Sequence, residues 1–369
     1  MKVLVTGPNG FIGKNLVLRL QECGNLEVLT YARGQDATTL GDLLAQADAV
    51  FHLAGENRPR DMQSFADVNV GLTVRICRGL HELGRKVPLI LASSVQAGLD
   101  DNPYGQSKLA AEQVVKALSF ENGNPVAIYR LTGVFGKWCK PNYNSVVATF
   151  CHNKANDLPV QINDSNSRVS LVYVDDVVSD FLKMLEKPWS GLVRPIVSPE
   201  YSITLGDLSN QLDAFKNFRS TLVSERVGIG FTRALHATYL SYLPKEKFAY
   251  LLPVFGDSRG VFVEMLKTPD SGQFSFFTAH PGITRGGHYH HTKTEKFLVI
   301  KGKARFGFRH MLTNELFHLD TEGTKPQVVE TVPGWTHHIT NVGDEEMVVM
   351  LWASEIFDRA NPDTIASKV

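Results

Sequence analysis

Short, nearly continuous apolar runs recur through the first third of the chain, separated by stretches with apolar residues at helical spacing. The runs at 2–6, 26–31, 49–53, 87–93 and 126–131 lack the alternation of a half-exposed sheet, which predicts parallel strands covered on both faces. Residues 13–22 and 107–118 carry the periodicity of amphipathic helices. Strand–helix alternation of this kind predicts a doubly wound α/β sheet. Residues 133–242 are more mixed, with helices expected at 173–186 and 204–215. Near Pro244 the pattern changes. Segments at 260–266, 273–278, 295–300, 304–309 and 347–353 alternate and are broken by glycine- and proline-rich turns, which predicts an all-β sandwich or barrel. Two domains are therefore expected, 1–243 and 244–369.

Composition narrows the classes. A hydrophobic share of 43% with 21% charged residues describes a soluble globular protein. The 38 basic and 38 acidic residues cancel, which argues against nucleic-acid or membrane-surface binding. No apolar run approaches the roughly 20 residues of a membrane span. The opening residues MKVLVTGPNG enter a strand at once, without a secretory signal's apolar core. Cys23, Cys77, Cys139 and Cys151 have no paired spacing. A cytoplasmic protein is expected.

Thr6-Gly7-Pro8-Asn9-Gly10-Phe11-Ile12-Gly13 follows the first expected strand and opens the first helix. Glycines there permit a tight turn and let the backbone approach a pyrophosphate at the positive helix terminus. Gly7, Asn9, Gly10, Phe11, Ile12 and Gly13 are thus candidate cofactor residues. The second strand ends in Tyr31-Ala32-Arg33. An acid at that place would bind the ribose hydroxyls of NAD, whereas Arg33 suits a 2′-phosphate, so NADPH is favoured. Tyr104 and Lys108 are four apart at the start of an expected helix and share one side. An ammonium near a phenol stabilises the phenolate and lowers its pKa. Ser94 ends the fourth strand and can hydrogen-bond the same substrate oxygen.

These residues resemble the extended short-chain dehydrogenase/reductases, which act mostly on nucleotide sugars. The resemblance covers roughly residues 1–242 and includes His52-Leu53-Ala54-Gly55, Asn69, Leu72-Thr73, Arg130 before Gly136, and Tyr173-Val174-Asp175-Asp176. It implies a Rossmann-like fold, Ser94, Tyr104 and Lys108 as the catalytic trio, and Leu53, Ala54 and Gly55 beside the cofactor. Val95-Gln96 stand where the family's dehydratases carry an Asp-Glu pair, which favours simple reduction. Arg130, Asn142 and Arg168 are candidate substrate contacts.

Eight of the twelve histidines fall at or after His280, a region without cysteine, so a metal there would use nitrogen and oxygen ligands. His288 and His290 lie two apart and share a strand face. Glu295 and His337 can complete a set of three imidazoles and one carboxylate, which suits zinc or another divalent ion. Gly282, His288, His290, Glu295 and Gly302, then Gly334, His337 and Asn341, match both motifs of the cupins, a double-stranded β-helix or jelly-roll family. Pro333 directly before Gly334 departs from the second motif. The segments 257–262 and 284–289 also resemble the deoxysugar 3,5-epimerases, cupins that use a histidine at the place of His288 as a base and generally lack metal. His288 is thus ligand or base, with ligand favoured because His290, Glu295 and His337 accompany it. If it is a ligand, the base is one of His291, Lys296, His310 and His338.

Over its whole length the chain is similar to the CapF/WbjC-like capsular polysaccharide enzymes, through the runs 136–146 and 238–244. That resemblance implies a bifunctional enzyme on the route to UDP-N-acetyl-L-fucosamine. The cupin domain would epimerise C3 of a UDP-2-acetamido-2,6-dideoxy-4-hexulose, and the reductase domain would reduce C4 with NADPH to the L-talose configuration. The competing expectations are a reductase whose cupin is a metal-stabilised dimerisation module, and a nucleotide-sensing regulator. A homodimer is expected by analogy with cupins.

Overall fold

The computed structural model describes residues 1–57, 65–99, 102–253, 255–257, 260–262, 265–266, 272–355 and 360–369. The chain forms two compact units, Met1–Ser145 with Val169–Ser202, and Val146–Arg168 with Ile203–Val369. Residues 146–168 and 203–243 therefore pack within the second unit, across the division expected at 243/244.

The first unit alternates as the apolar runs require. In chain order come β1 (Lys2–Thr6), α1 (Phe11–Glu22), β2 (Glu27–Tyr31), α2 (Ala37–Gln46), β3 (Ala49–His52), a π-helical turn (Phe65–Gly71), α3 (Leu72–Glu82), β4 (Leu89–Ser94), α4 (Pro103–Asn122), β5 (Val126–Leu131) and β6 (Gly133–Phe135). α5 (Val146–Ala155) belongs to the second unit, and β7 (Arg168–Tyr173), α6 (Val174–Glu186), β8 (Leu192–Val193) and β9 (Glu200–Thr204) follow. Six parallel strands run in the order β2-β1-β3-β4-β5-β8, a Rossmann-like sheet. Leu4, Val50, Leu89, Leu91, Val126 and Ile128 bury against Leu40, Leu44, Ile76, Leu80 and Val115. Chain direction switches at β1, whose neighbours are β2 and β3, and such a switch opens a crevice at the strand C-termini. α4 starts earlier than expected because Pro103 suits a first helical position and Asn102 Oδ1 accepts the Tyr104 and Gly105 amides at 3.0 and 3.3 Å.

The second unit adds α7 (Leu205–Thr221) and α8 (Gly230–Leu240) to a β-rich body. Its strands are β10 (Ala249–Leu251), β11 (Phe255–Asp257), β12 (Gly260–Phe262), β13 (Gln273–Ala279), β14 (Thr284–Tyr289), β15 (Glu295–Lys301), β16 (Lys303–His310), β17 (Leu316–Glu322), β18 (Gln327–Glu330), β19 (Trp335–Asn341), β20 (Met347–Ala353) and β21 (Ile365–Ala366). β11 and β12 pair as a hairpin; the others form two five-stranded antiparallel sheets, β10-β18-β15-β20-β13 and β17-β16-β19-β14-β21. The Phe297 ring, from the first sheet, lies 5.6 Å from Phe306 and 6.2 Å from His337 of the second. The helices join this body through charge and aromatic contacts: Arg219 of α7 pairs with Glu330 of β18, and Phe218 meets Tyr250 edge-on at 6.3 Å. Ser258 and Arg259 of the epimerase-like segment, and residues 263–264 of the strand expected at 260–266, lie outside the described residues.

Candidate active site and metal centre

A cleft of about 620 Å³ opens at the strand switch, lined by Gly7, Asn9, Gly10, Arg33, Leu53, Ala54, Gly55 and Arg75 among others. Phe11, Ile12 and Gly13 begin α1 behind it. Two glycines are required by geometry. Gly7 has φ +69°, and a Cβ there would lie 2.7 Å from Ala54 Cα; a Cβ on Gly13 would lie 2.1 Å from the Gly7 carbonyl oxygen. Arg33 pairs with Glu56 at 2.5 Å, and Tyr143 donates to the other Glu56 oxygen at 3.0 Å. Burial would raise the Glu56 carboxyl, but those two partners together hold it below the ordinary carboxylate range.

Ser94, Tyr104 and Lys108 converge at the end of β4 and the start of α4. The phenol of Tyr104 hydrogen-bonds Ser94. Lys108 Nζ lies 6.0 Å from the Tyr104 ring centre and donates to the Ala92 carbonyl at 3.0 Å. Burial pushes Lys108 down to about 8, with Glu112 opposing. The lysine was expected to lower the phenol's pKa. Burial instead raises it, with Ser94 pulling the other way, so Tyr104 is held in its proton-carrying form. Asn69 supports this corner, with Nδ2 2.9 Å from Ser107 Oγ and Oδ1 accepting the Glu56 amide at 2.8 Å.

Of the three substrate candidates, Arg130 and Asn142 belong to the first unit and Arg168 to the second. Arg130 is clamped by the buried Glu112 through two 2.8 Å bonds. Asn142 is exposed with φ 54°, in the run that also places Trp138 at φ 68°. Arg168 is exposed; it is the first residue of β7, whose other residues belong to the first unit.

In the second unit, one ligand atom each from His288, His290, Glu295 and His337 lies within 4.8 Å of the others. The strands explain the grouping. Gly286 and Gly287 take positive φ at a bulge in β14, after which His288 sits opposite His337 of β19. Glu295 opens β15, its amide bound to Thr331 Oγ1 at 2.9 Å. Burial and the neighbouring His337 and His290 push His288 down to about 3. Burial would raise Glu295, but the His290 and His337 rings beside it hold it well below its ordinary value.

A divalent ion fits these residues. His290 Nδ1 meets the Asp363 carbonyl, which can only accept, so the proton sits on Nδ1. That tautomer leaves Nε2 as the nitrogen available to a ligand, 3.1 Å from Glu295 Oε2. Two acceptors at that separation call for a cation between them. His337 Nε2 lies 3.4 Å from the same Glu295 oxygen, and its buried Nδ1 lacks a hydrogen-bond partner among the described residues.

The expected base candidates are placed elsewhere. Lys296 follows Glu295 on the strand, faces the opposite side and pairs with Glu330. His338 likewise alternates with His337. His310 Nδ1 accepts the amides of Leu312 and Thr313 at 3.2 Å each. His291 contacts the Tyr289 ring, centroids 5.4 Å apart. Sequence reasoning passed over Lys293, whose Nζ is 3.2 Å from Glu295 Oε1; it lies in the turn before β15, where strand alternation does not apply. It also passed over Glu56, Arg75 and Glu112, which no motif marks.

Residues 3–197 match the NAD dependent epimerase/dehydratase family, and residues 255–365 match the polysaccharide biosynthesis C-terminal domain. A Pseudomonas aeruginosa protein described as UDP-2-acetamido-2,6-beta-L-arabino-hexul-4-ose reductase is 55% identical over 369 residues, covering 100% of this chain and 99% of that one. The crystal structure of the capsular polysaccharide assembling protein CapF from Staphylococcus aureus superposes with a TM-score of 0.68 at 41% identity, covering 100% of both chains. A Bacillus cereus UDP-glucuronic acid 4-epimerase, solved with UDP-glucuronic acid and NAD, gives a TM-score of 0.53 at 20% identity over 59% of this chain and 83% of its own, a likeness of fold alone. No helix among the described residues is long and apolar enough to cross a membrane. With both family matches on one chain and full-length similarity to CapF, the protein belongs to the CapF-like branch of the NAD dependent epimerase/dehydratase family.

Proposed function

We propose that this chain is a two-site nucleotide-sugar enzyme: the first unit reduces the C4 ketone of a UDP-2-acetamido-2,6-dideoxy-4-hexulose with NADPH, and the β-rich part, read as a cupin, epimerises C3 beforehand. The observation that carries this reading is the pairing, in one chain, of a proton-carrying Tyr104 bonded to Ser94 with a buried three-histidine, one-carboxylate cluster. The reductase named for the 55%-identical relative supports the first activity. Arg33 and Arg75, both on the cleft wall, support a 2′-phosphate and hence NADPH. The product would have the L-talose configuration and serve surface polysaccharide synthesis.

Bound NADPH supplies the hydride to C4. Tyr104 gives its phenolic proton to the C4 oxygen, Ser94 hydrogen-bonds that oxygen, and the Lys108 charge steadies the phenolate left behind. At the other site His288, His290, Glu295 and His337 would hold a divalent ion, zinc by ligand type. That ion supplies Lewis-acid polarisation of the ketone. The chemistry is coupled because the C4 ketone acidifies the C3 proton, so exchange at C3 must precede reduction. His288 is read as ligand, since it sits within reach of the other three donors. The second reading, a cupin that only dimerises, finds support in the exposed Phe274 and Phe276 of β13, an edge strand, which also favour a homodimer. The four free cysteines fit a reducing, cytoplasmic setting.

The test uses the full chain, because residues 146–168 and 203–243 pack within the second unit. With the 4-keto sugar in heavy water and no NADPH, deuterium is expected at C3, and chelation should abolish that exchange. Normal ketone reduction without exchange would leave only the reductase.

Lys108 adds a pH signature. A lysine held near 8 is charged below that value and neutral above it. The kcat/KM for ketone reduction is therefore expected to fall as pH rises through about 8. Lys108→Met should be slow and lose that limb; an alkaline limb that persists in Lys108→Met would refute the assignment.

A further inference from the structure

The 363–368 segment lies against the supports of all four candidate ligands. β21 pairs with β14, setting Ala366 opposite His288, and the Ser367 amide donates to the Gly287 carbonyl at 2.8 Å. The Asp363 carbonyl accepts from His290 Nδ1. Thr364 Oγ1 accepts from Lys293 Nζ at 3.2 Å, the same ammonium that lies 3.2 Å from Glu295 Oε1. Thr336, beside His337, donates its hydroxyl to the Ser367 carbonyl at 2.9 Å.

Asp363 fixes this arrangement. Its Oδ1 accepts the His291 amide at 2.8 Å, and its Oδ2 accepts the Thr292 and Lys293 amides at 2.7 Å each and the Thr292 hydroxyl at 2.9 Å. One carboxylate thus satisfies three successive amides of the turn that links His290 to Glu295. Backbone amides aimed at one carboxylate favour its charged form, and they hold Asp363 far below its usual range although burial opposes this.

We propose that the 363–368 segment is the outer shell of the metal centre, with Asp363 as a positioning residue that fixes the His290 tautomer and the spacing of His290 and Glu295. This rests on the metal reading given above. Asp363 itself offers the ion no atom, since its carboxylate is spent on amides and its carbonyl on His290. What it supplies is orientation: a histidine whose Nδ1 proton is anchored presents Nε2 as the ligand.

The experiment measures zinc affinity of the full chain by competition with a chromophoric chelator, for the parent, Asp363→Asn and Asp363→Ala. Asp363→Ala is expected to bind zinc 10–100-fold more weakly. Asp363→Asn should fall between the two, because one oxygen still accepts. Melting temperatures with and without zinc separate positioning from a merely structural role. A positioning residue lowers the rise that zinc causes, whereas a structural one lowers the zinc-free and zinc-loaded values equally. Ring ¹⁵N shifts of His290 should report the Nδ1–H tautomer in the parent and a mixture in Asp363→Ala. Tight zinc in a folded Asp363→Ala, with an unchanged zinc-dependent rise, overturns the positioning role of Asp363 alone. A parent chain that binds no zinc overturns the metal reading and the inference with it.

Discussion

Tyr104→Phe is expected to lower kcat for C4 reduction about 10²–10⁴-fold while leaving C3 exchange intact. The magnitude follows from what the phenol does. Burial raises its pKa, so at neutral pH it carries the proton that the C4 oxygen needs as hydride arrives. Without it, that oxygen keeps only the Ser94 hydroxyl, which can hydrogen-bond but is too weak an acid to give its proton away cheaply. The ring itself stays, including its packing 6.1 Å from Phe65, so the fold should lose no more than the roughly 1 kcal/mol of one hydrogen bond. The measurement is NADPH oxidation by stopped flow beside deuterium incorporation at C3 by mass spectrometry. Unimpaired reduction would remove Tyr104 from the acid's role. Loss of both activities in a folded variant would contradict two separable sites.

The parts legible in the sequence are those where side-chain identity repeats a physical requirement. The β1, β3 and β5 runs read directly, because strands buried on both faces tolerate little polarity. The glycine loop was legible because Gly7 and Gly13 stand where any Cβ would strike backbone. The four candidate ligands were legible because strand alternation ties their spacing to one face. α8 was missed: Ala234–Leu240 is buried on every side, so no polar stripe marks its period. The grouping of 203–243 with the β-rich part was also silent, since it depends on which surface an apolar helix face meets. Asp363 was invisible for a different reason: it works through its carbonyl and through backbone amides, and a carbonyl has no letter in the sequence. Lys296 could have been excluded as a base by alternation alone, because its neighbour Glu295 already claims the inner face.

Lys296 marks the largest expected loss of stability. It is buried with Glu330, which also pairs with Arg219 of α7, and its ammonium lies 4.2 Å from the Phe218 ring centre. Glu330→Ala would leave that ammonium in an apolar pocket with only ring faces and a like charge nearby. A buried pair broken on one side costs about 3–5 kcal/mol, and urea unfolding should record a loss of that size. Lys296→Met should cost less, because the apolar stem remains and Glu330 keeps Arg219. The pH dependence has a definite sign. Burial and Arg219 already lower Lys296, against the pull of Glu330, and removing Glu330 lowers it further. The folded variant then binds fewer protons than the unfolded chain, so its stability rises with pH toward the ordinary lysine range. A deficit below about 1 kcal/mol, or one that does not shrink at alkaline pH, would mean that water reaches Lys296 and that this network does not hold β15 against α7.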